Sequence, residues 1–431
     1  MTSWHNWAGL SSVTPTEVRT PRDTDEVVAA VHRARERRTT VKMPGTGHSF
    51  TGIAAPEGIM LSPRQLSGIV SVDRDAMTAT AYAGTPLHLL NANLEALGLS
   101  LHNMGDIAEQ TLAGATSTGT HGTGGLVGSL SAQIAGFELV TGTGEVLRAS
   151  ETEHPEVFAA ARVGLGALGI LTTLTFRIEP TFTLEAHEFP MRWDEAISRF
   201  DELTEGNHHF EMFWFPHTEA VQAKANNRTI DDPEPLSAFR HWLDDEFLSN
   251  TVFGLANRVG NRWNAAVPRV NRFSGHVLSE RTYSDVPHKV FTSPRRVVFR
   301  EMEYAVPREA GLDALRTVRR WIDASGLNIS FPVEVRTTPA DDIALSTSSG
   351  RASLYLAFHV NAQTDHTAYF RGVEDILRGY DGRPHWGKLH TRTAADLAPA
   401  YPRWAEFQAV RDRLDPDRLF SNDYLRRVLG D

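Results

Sequence analysis

Apolar positions recur with helical spacing over residues 23 to 36, where Val27, Val28, Val31 and Ala34 form one stripe behind an N-cap at Asp23 or Thr24. A second helix is expected over residues 85 to 98: Thr85 as cap, Pro86 in the first turn, Leu87, Leu90, Leu94 and Leu97 on one face, Gly98 at the end. Between them residues 69 to 83 alternate as strands do, and Phe137 to Arg148 reads as a hairpin around Gly142-Thr143-Gly144. Up to Glu179-Pro180 the pattern is therefore α+β with short elements. From 181 to 389 the texture changes to aromatic-rich strands at Phe210 to Phe215, 331 to 337 and 353 to 360, with a polar helical stretch near 236 to 262. Beyond residue 390 the helical spacing resumes. The expected division is a first domain over 1–180, a second over 181–389, and a tail over 390–431 that returns to the first.

At 431 residues the chain exceeds one ordinary core, which agrees with that division. A net charge of −10 argues against nucleic acid or an anionic membrane as partner, and leaves small neutral or polar substrates open. Cysteine is absent, so disulfides, thiolate metal sites and a cysteine nucleophile are excluded. Met1 to Trp7 has neither a basic nor an apolar leader segment, and no run approaches the ~20 apolar residues of a membrane span, so a cytoplasmic location is expected. The pattern carries no signal of oligomeric state.

Two glycine-rich segments carry candidate chemistry. Pro44-Gly45-Thr46-Gly47-His48-Ser49-Phe50 follows the short β-branched run Thr39 to Lys42, so a strand is expected to end in a loop whose amides converge on an anion, with one imidazole beside it. An imidazole at that place suits a flavin better than a nucleoside triphosphate. The second segment runs from Thr111 to Gly122 and includes Gly114, Ala115, Thr116, Ser117, Thr118, Gly119 and His121. Small residues make poor core and good backbone contact, and a helix starting here would offer free amides and hydroxyls to phosphate oxygens. Gly164-Leu165-Gly166-Ala167-Leu168-Gly169 spells the dinucleotide fingerprint, but a helix-like stretch precedes it and a β-rich run follows. A Rossmann turn needs the opposite order, so no nicotinamide site is expected there.

In the second domain Glu334 and Arg336 alternate along Pro332-Val333-Glu334-Val335-Arg336 and share a strand face. Facing inward they would hold each other and offer hydrogen bonds to a polyol; facing outward they would be a surface pair. His359, within the strand Leu354 to Val360, is either an interior histidine or a substrate contact. Asp341-Asp342 reads as a solvated turn. Lys388, in Gly382-Arg383-Pro384-His385-Trp386-Gly387-Lys388, is either a loop tip or an ammonium over an electron-rich ring, where it would stabilise developing negative charge. The pair His208-His209 and His217 lack zinc-site spacing, and no metal is expected.

Together these segments, with Asn6-Trp7-Ala8, Trp214-Phe215-Pro216-His217-Thr218 and Leu414-Asp415-Pro416-Asp417-Arg418-Leu419-Phe420-Ser421-Asn422-Asp423-Tyr424-Leu425, resemble the aldonolactone oxidoreductases over nearly the whole chain. That family is the L-gulono-1,4-lactone and D-arabinono-1,4-lactone oxidase branch of the vanillyl-alcohol-oxidase type, with alditol oxidases as cousins. The resemblance implies a PCMH-type FAD-binding domain and an antiparallel-sheet substrate domain. It implies FAD bonded covalently to His48, Ile170 near the adenine end, Gly105 beside the reactive flavin edge, and Glu334, Arg336, Lys388 and His359 around substrate and ring. The implied reaction takes a hydride from C2 of the lactone to flavin N5, followed by reoxidation with molecular oxygen to peroxide. An alditol as substrate, or a non-oxygen acceptor, is the alternative. Asp244, Asp245, Glu246, Arg258 and Arg262 make residues 236 to 262 too polar to imply membrane association.

Overall fold

The computed structural model describes residues 3–237, 267, 271, 279–292 and 298–431. The polar helical stretch expected near 236 to 262 lies, from residue 238 onward, outside them. The architecture is α+β. The helix Thr24–Glu36 starts where the Asp23 carboxylate accepts from Glu26 N at 2.9 Å, and its buried stripe of Val27, Ala30, Val31 and Ala34 faces a small parallel sheet. That sheet orders Glu17–Arg19, Ile59–Leu61 and Val41–Lys42. A five-stranded antiparallel sheet follows, in the order Val146–Ser150, Ile134–Val140, Ile170–Arg177, Thr78–Tyr82 and Ile69–Asp73.

Thr85 does not cap the next helix, which spans Leu87–Ala96 behind Pro86. Its hydroxyl is already engaged, donating to Tyr82 O at 2.6 Å and accepting from Gly68 N at 2.9 Å, so it ties the turn leading into the helix.

Trp4–His5 pairs with Ser12–Val13 and Leu99–Ser100 with Glu179–Pro180, and the other eight strands form one antiparallel sheet: Arg281–Asp285, Thr183–Arg192, Ala220–Thr229, His209–Trp214, Val333–Thr338, Ser353–Asn361, Phe299–Pro307 and Arg383–Pro384. Side chains alternate across a strand, so one face carries Met212, Trp214, Val333, Val335, Leu356, Phe358, Met302 and Tyr304, all buried. The helices Trp193–Ser198, Phe200–Gly206, Gly311–Ser325 and Thr367–Arg378 pack against them. The intervening positions, Glu211, Glu334, Arg336, Glu301, Glu303 and His359, turn to the other face. On that face Glu301, Glu303, Glu334, Arg336 and His359 share a cavity with His48, Ser49 and Thr118 of the two glycine-rich segments.

The end of the chain packs back on its beginning. Asn422 caps the helix Asp423–Leu429 through Leu425 N at 2.9 Å, while its amide donates to the carbonyls of Gly52 and Ile53 at 3.0 Å and of Ala55 at 3.2 Å. Among the described residues, no helix is long and apolar enough to cross a membrane.

Candidate active site

The strand Val41–Lys42 runs directly into the loop Pro44 to Ser49. None of the amides from Gly45 to Ser49 donates to a protein group among the described residues. Five successive donors without a protein partner, in a loop that lines a cavity, are available to an anion bound there. Glycine is required at the base of the loop: a Cβ on Gly45 would stand 2.2 Å from Thr111 Oγ1. Gly47 has φ +77°, which a side chain would disfavour. The loop lines a cavity together with Thr111, Gly114, Ser117, Thr118, Gly166 and Ile170.

The short helix Leu112–Ser117 does not supply free amides, contrary to the expectation from sequence. Leu112 N and Ala113 N donate to the carbonyls of Thr85 and Ala83, Ala115 N donates to Thr111 O, and Gly114 N faces the Thr111 hydroxyl. Two of its hydroxyls are also engaged, Thr116 with Leu112 O at 2.9 Å and Thr118 with Gly114 O at 3.1 Å. The segment presents surface and one spare hydroxyl, Ser117, while the histidine loop presents the donors.

A second cavity adjoins the first, sharing His48, Ser49, Gln110 and Thr118. The polar face of the large sheet forms its far wall. Arg336 donates from Nε to Glu211 Oε2 at 2.7 Å and from Nη2 to Asp106 Oδ1 at 2.6 Å, and also pairs with Glu334. Burial works against the charge on Arg336, but the carboxylates of Asp106, Glu334 and Glu211 outweigh it and hold the guanidinium's affinity for the proton well above the ordinary. Burial pushes the Glu334 carboxyl up, Arg336 pulls it back, and the charges of Asp106 and Glu211 raise it again, to about 7. Glu334 Oε1 is buried against the Arg336 guanidinium.

Lys388 pairs with Glu301, which also faces His359 Nε2 at 3.4 Å. Burial would raise Glu301, yet Lys388 and His359 hold it down at about 2. Glu303, two residues on, faces His121 Nε2 at 3.1 Å, and the His121 ring lies 3.7 Å from that of Tyr355. His385 is pushed down to about 4 by burial, so it is neutral near pH 7. His121, Glu303 and His385 bring potential ligand atoms within 4.8 Å of one another, as do Asp106, Glu211 and Glu334. In the second group the Arg336 guanidinium takes the cation's place, and in the first a direct contact joins His121 to Glu303.

Of the residues singled out from sequence, Glu334, Arg336, His359, Lys388, Gly105 and His121 line the second cavity. Phe50 also lines it, with the Lys388 ammonium 5.3 Å from its ring centre. Ala115, Thr116 and Gly119 line neither cavity. His48 stands between the two, its ring 5.8 Å from that of Trp7, and burial pushes it down so that the imidazole is neutral at pH 7. Asp341 is not in a solvated turn: it accepts from the Ser346 hydroxyl at 2.5 Å and from Ile343 N at 3.1 Å, and burial raises its carboxyl. Sequence reading missed Glu301, Glu303, Glu211 and Asp106. The first two were findable, because Phe299-Arg300-Glu301-Met302-Glu303-Tyr304 has the same alternation that drew attention to Glu334 and Arg336.

Residues 174–428 match the family model for D-arabinono-1,4-lactone oxidase, and residues 15–150 match that for an FAD binding domain. The chain is 41% identical over 427 residues to the L-gulono-1,4-lactone dehydrogenase of Mycobacterium tuberculosis, covering 99% of each. It is 32% identical over 432 residues to the L-gulonolactone oxidase of Bos taurus, covering 99% of this chain and 98% of that one. Its fold matches the crystal structure of cholesterol oxidase from B. sterolicum with a TM-score of 0.78, over 99% of this chain and 96% of that one, at 16% identity. The fold is thus that of a two-part flavoprotein with a PCMH-type FAD-binding domain.

Proposed function

From the premise that this chain belongs to the aldonolactone oxidoreductases, the family of D-arabinono-1,4-lactone oxidase, we propose that it oxidises the C2 hydroxyl of an aldono-1,4-lactone, L-gulono-1,4-lactone foremost. It is an FAD-dependent oxidoreductase. The two adjoining cavities and the unpaired amides of Gly45 to Ser49 fit a bound dinucleotide. Bound there, FAD supplies the hydride acceptor. The neutral imidazole of His48, at the junction of the cavities, is the form that can bond covalently to the flavin.

The observation that carries the substrate reading is the charged face of the sheet over the second cavity. Arg336 and Lys388 offer cationic donors to the oxygen from which a hydroxyl proton departs, and they act most strongly on charge that develops in the transition state. Glu334, raised to about 7, is divided between its protonated and ionised forms at neutral pH and can take that proton. Glu301 holds Lys388 and His359 toward the same space. The product is the 2-keto lactone, which enolises to an ascorbate-type enediol.

Molecular oxygen is the proposed acceptor of the electrons, with Gly105 on its approach. The dehydrogenase name of the 41%-identical relative favours a second reading, in which another acceptor takes them. Anaerobic addition of lactones and alditols tests the substrate: L-gulono-1,4-lactone should bleach the yellow absorbance fastest. Faster bleaching by xylitol or sorbitol would replace the lactone by an alditol. Admission of oxygen then tests the acceptor, since an oxidase recovers its colour and forms peroxide.

A further inference from the structure

Lys42 ends the strand that leads into the histidine loop, and only 5% of its surface is exposed. Its single hydrogen bond runs from Nζ to Gly166 O at 3.2 Å, leaving two of its three donors unused. Among the described residues no carboxylate lies within ion-pair distance of it. The nearest acids act from further away and are otherwise engaged: Asp415 accepts from Leu419 N at 2.8 Å and Phe420 N at 3.0 Å, and Glu57 accepts from Asp423 N at 2.9 Å and pairs with Arg426. Arg411 opposes the ammonium. Buried charges in native folds are paired or relieved of their proton, so an ammonium here lacks a counter-ion that the protein does not provide.

Lys42 lines the first cavity, where Met43, Thr111, Ser117, Leu165 and Ile170 add no charge. Leu165 and Gly166 have φ of +56° and +62°. The first is strained for a leucine, and this turn presents the carbonyl that steadies the amine. His48, the cavity's other titratable group, is pushed down by burial and is neutral above pH 7. The nearby cradle of amides from Gly45 to Ser49 offers donors without net charge.

We propose that Lys42 is the counter-cation of the pyrophosphate of the bound dinucleotide, and that the protein takes up a proton at this amine when the cofactor binds. The inference rests on the FAD reading above. In the protein alone burial holds this amine down at about 8, with Asp415 and Glu57 raising it and Arg411 lowering it. A phosphate anion beside it restores the charged form. FAD affinity must therefore fall as pH rises through 8, while the free protein loses the proton that the complex keeps.

Mixing FAD with flavin-free protein from a riboflavin-starved host, in weakly buffered solution with phenol red at pH 8, reads the uptake before any covalent step. About half a proton per FAD is expected, because a group titrating near 8 is half protonated there. The Lys42→Met protein should take up none and bind FAD at least tenfold more weakly at pH 7, by quenching of flavin fluorescence. Lys42→Arg, always charged, should bind without uptake. Absence of uptake in the wild-type chain overturns the proposal even if neither variant folds. So does a Lys42→Met protein that matches the wild type in affinity and uptake, or an amine that bonds the adenine in neutral form, which also gives no uptake. Failure of the wild-type protein to bind FAD at all would instead overturn the cofactor reading on which the assignment stands.

Discussion

Arg336 donates to Asp106 across 230 residues of sequence, at 2.6 Å, and this bond joins the large antiparallel sheet to the loop that follows the strand Leu99–Ser100. The same guanidinium is held from its own sheet by Glu211 at 2.7 Å. One cation thus fixes the wall of the second cavity relative to its floor, and the negative charges that position it add to burial in raising the Glu334 carboxyl to about 7.

Arg336→Ala and Lys388→Ala should retain flavin and lose turnover by ~10²–10³, the usual cost of removing one donor to a developing negative charge. Rapid-mixing measurement of flavin reduction by the lactone checks this. A variant that keeps more than about half of the wild-type rate, against that expected loss, refutes the role of the residue removed.

The rate of flavin reduction at low substrate should rise with pH through about 7, as Glu334 loses its proton. In Glu211→Gln one of the charges that raises Glu334 is gone, so the rising limb should move to lower pH. A pH profile of kcat/KM separates this from a purely structural effect, which would lower the plateau and leave the limb where it was.

Acid-precipitated wild-type protein should stay yellow, and the His48→Ala pellet should be colourless. His48 has no hydrogen-bond partner among the described residues, and its ring is free to bond the flavin. A colourless wild-type pellet would show the cofactor to be held without a covalent bond.

Gly105→Ala should slow reoxidation by dissolved oxygen and leave flavin reduction nearly unchanged. The added Cβ would lie 3.0 Å from His121 O and 3.2 Å from Thr120 Cγ2, so it narrows the cavity wall and also costs ~1–3 kcal/mol of stability through overpacking. Stopped-flow reoxidation and a thermal melt read the two effects separately. A lower Tm with unchanged reoxidation would mean that Gly105 serves packing alone.

The local pattern of the chain determined its elements wherever one period dominated. The Val27 to Ala34 stripe, the 137 to 148 hairpin and the order of helix before strand around Gly164 to Gly169 were all legible, because burial of one face is written into the spacing of neighbouring residues. Caps were less legible: Thr85 has the right residue type for an N-cap, but its hydroxyl finds better partners in Tyr82 and Gly68, which only the folded turn brings near. The same holds for the Leu112–Ser117 helix, whose amides are claimed by the carbonyls of Ala83 and Thr85.

The alternation of Glu334 and Arg336 made a shared face certain from sequence, yet a two-residue period is symmetric between core and solvent. What decided the direction was the helical layer over Met212, Val335, Leu356 and Met302, which covers one face of the sheet and turns the charges to the other. Asp106, Glu211, Glu301 and Glu303 became part of the site for the same reason. Each is an ordinary acidic residue in its own segment, and only strand order and the return of the first half against the sheet bring their charges within reach of Arg336, Lys388 and His121.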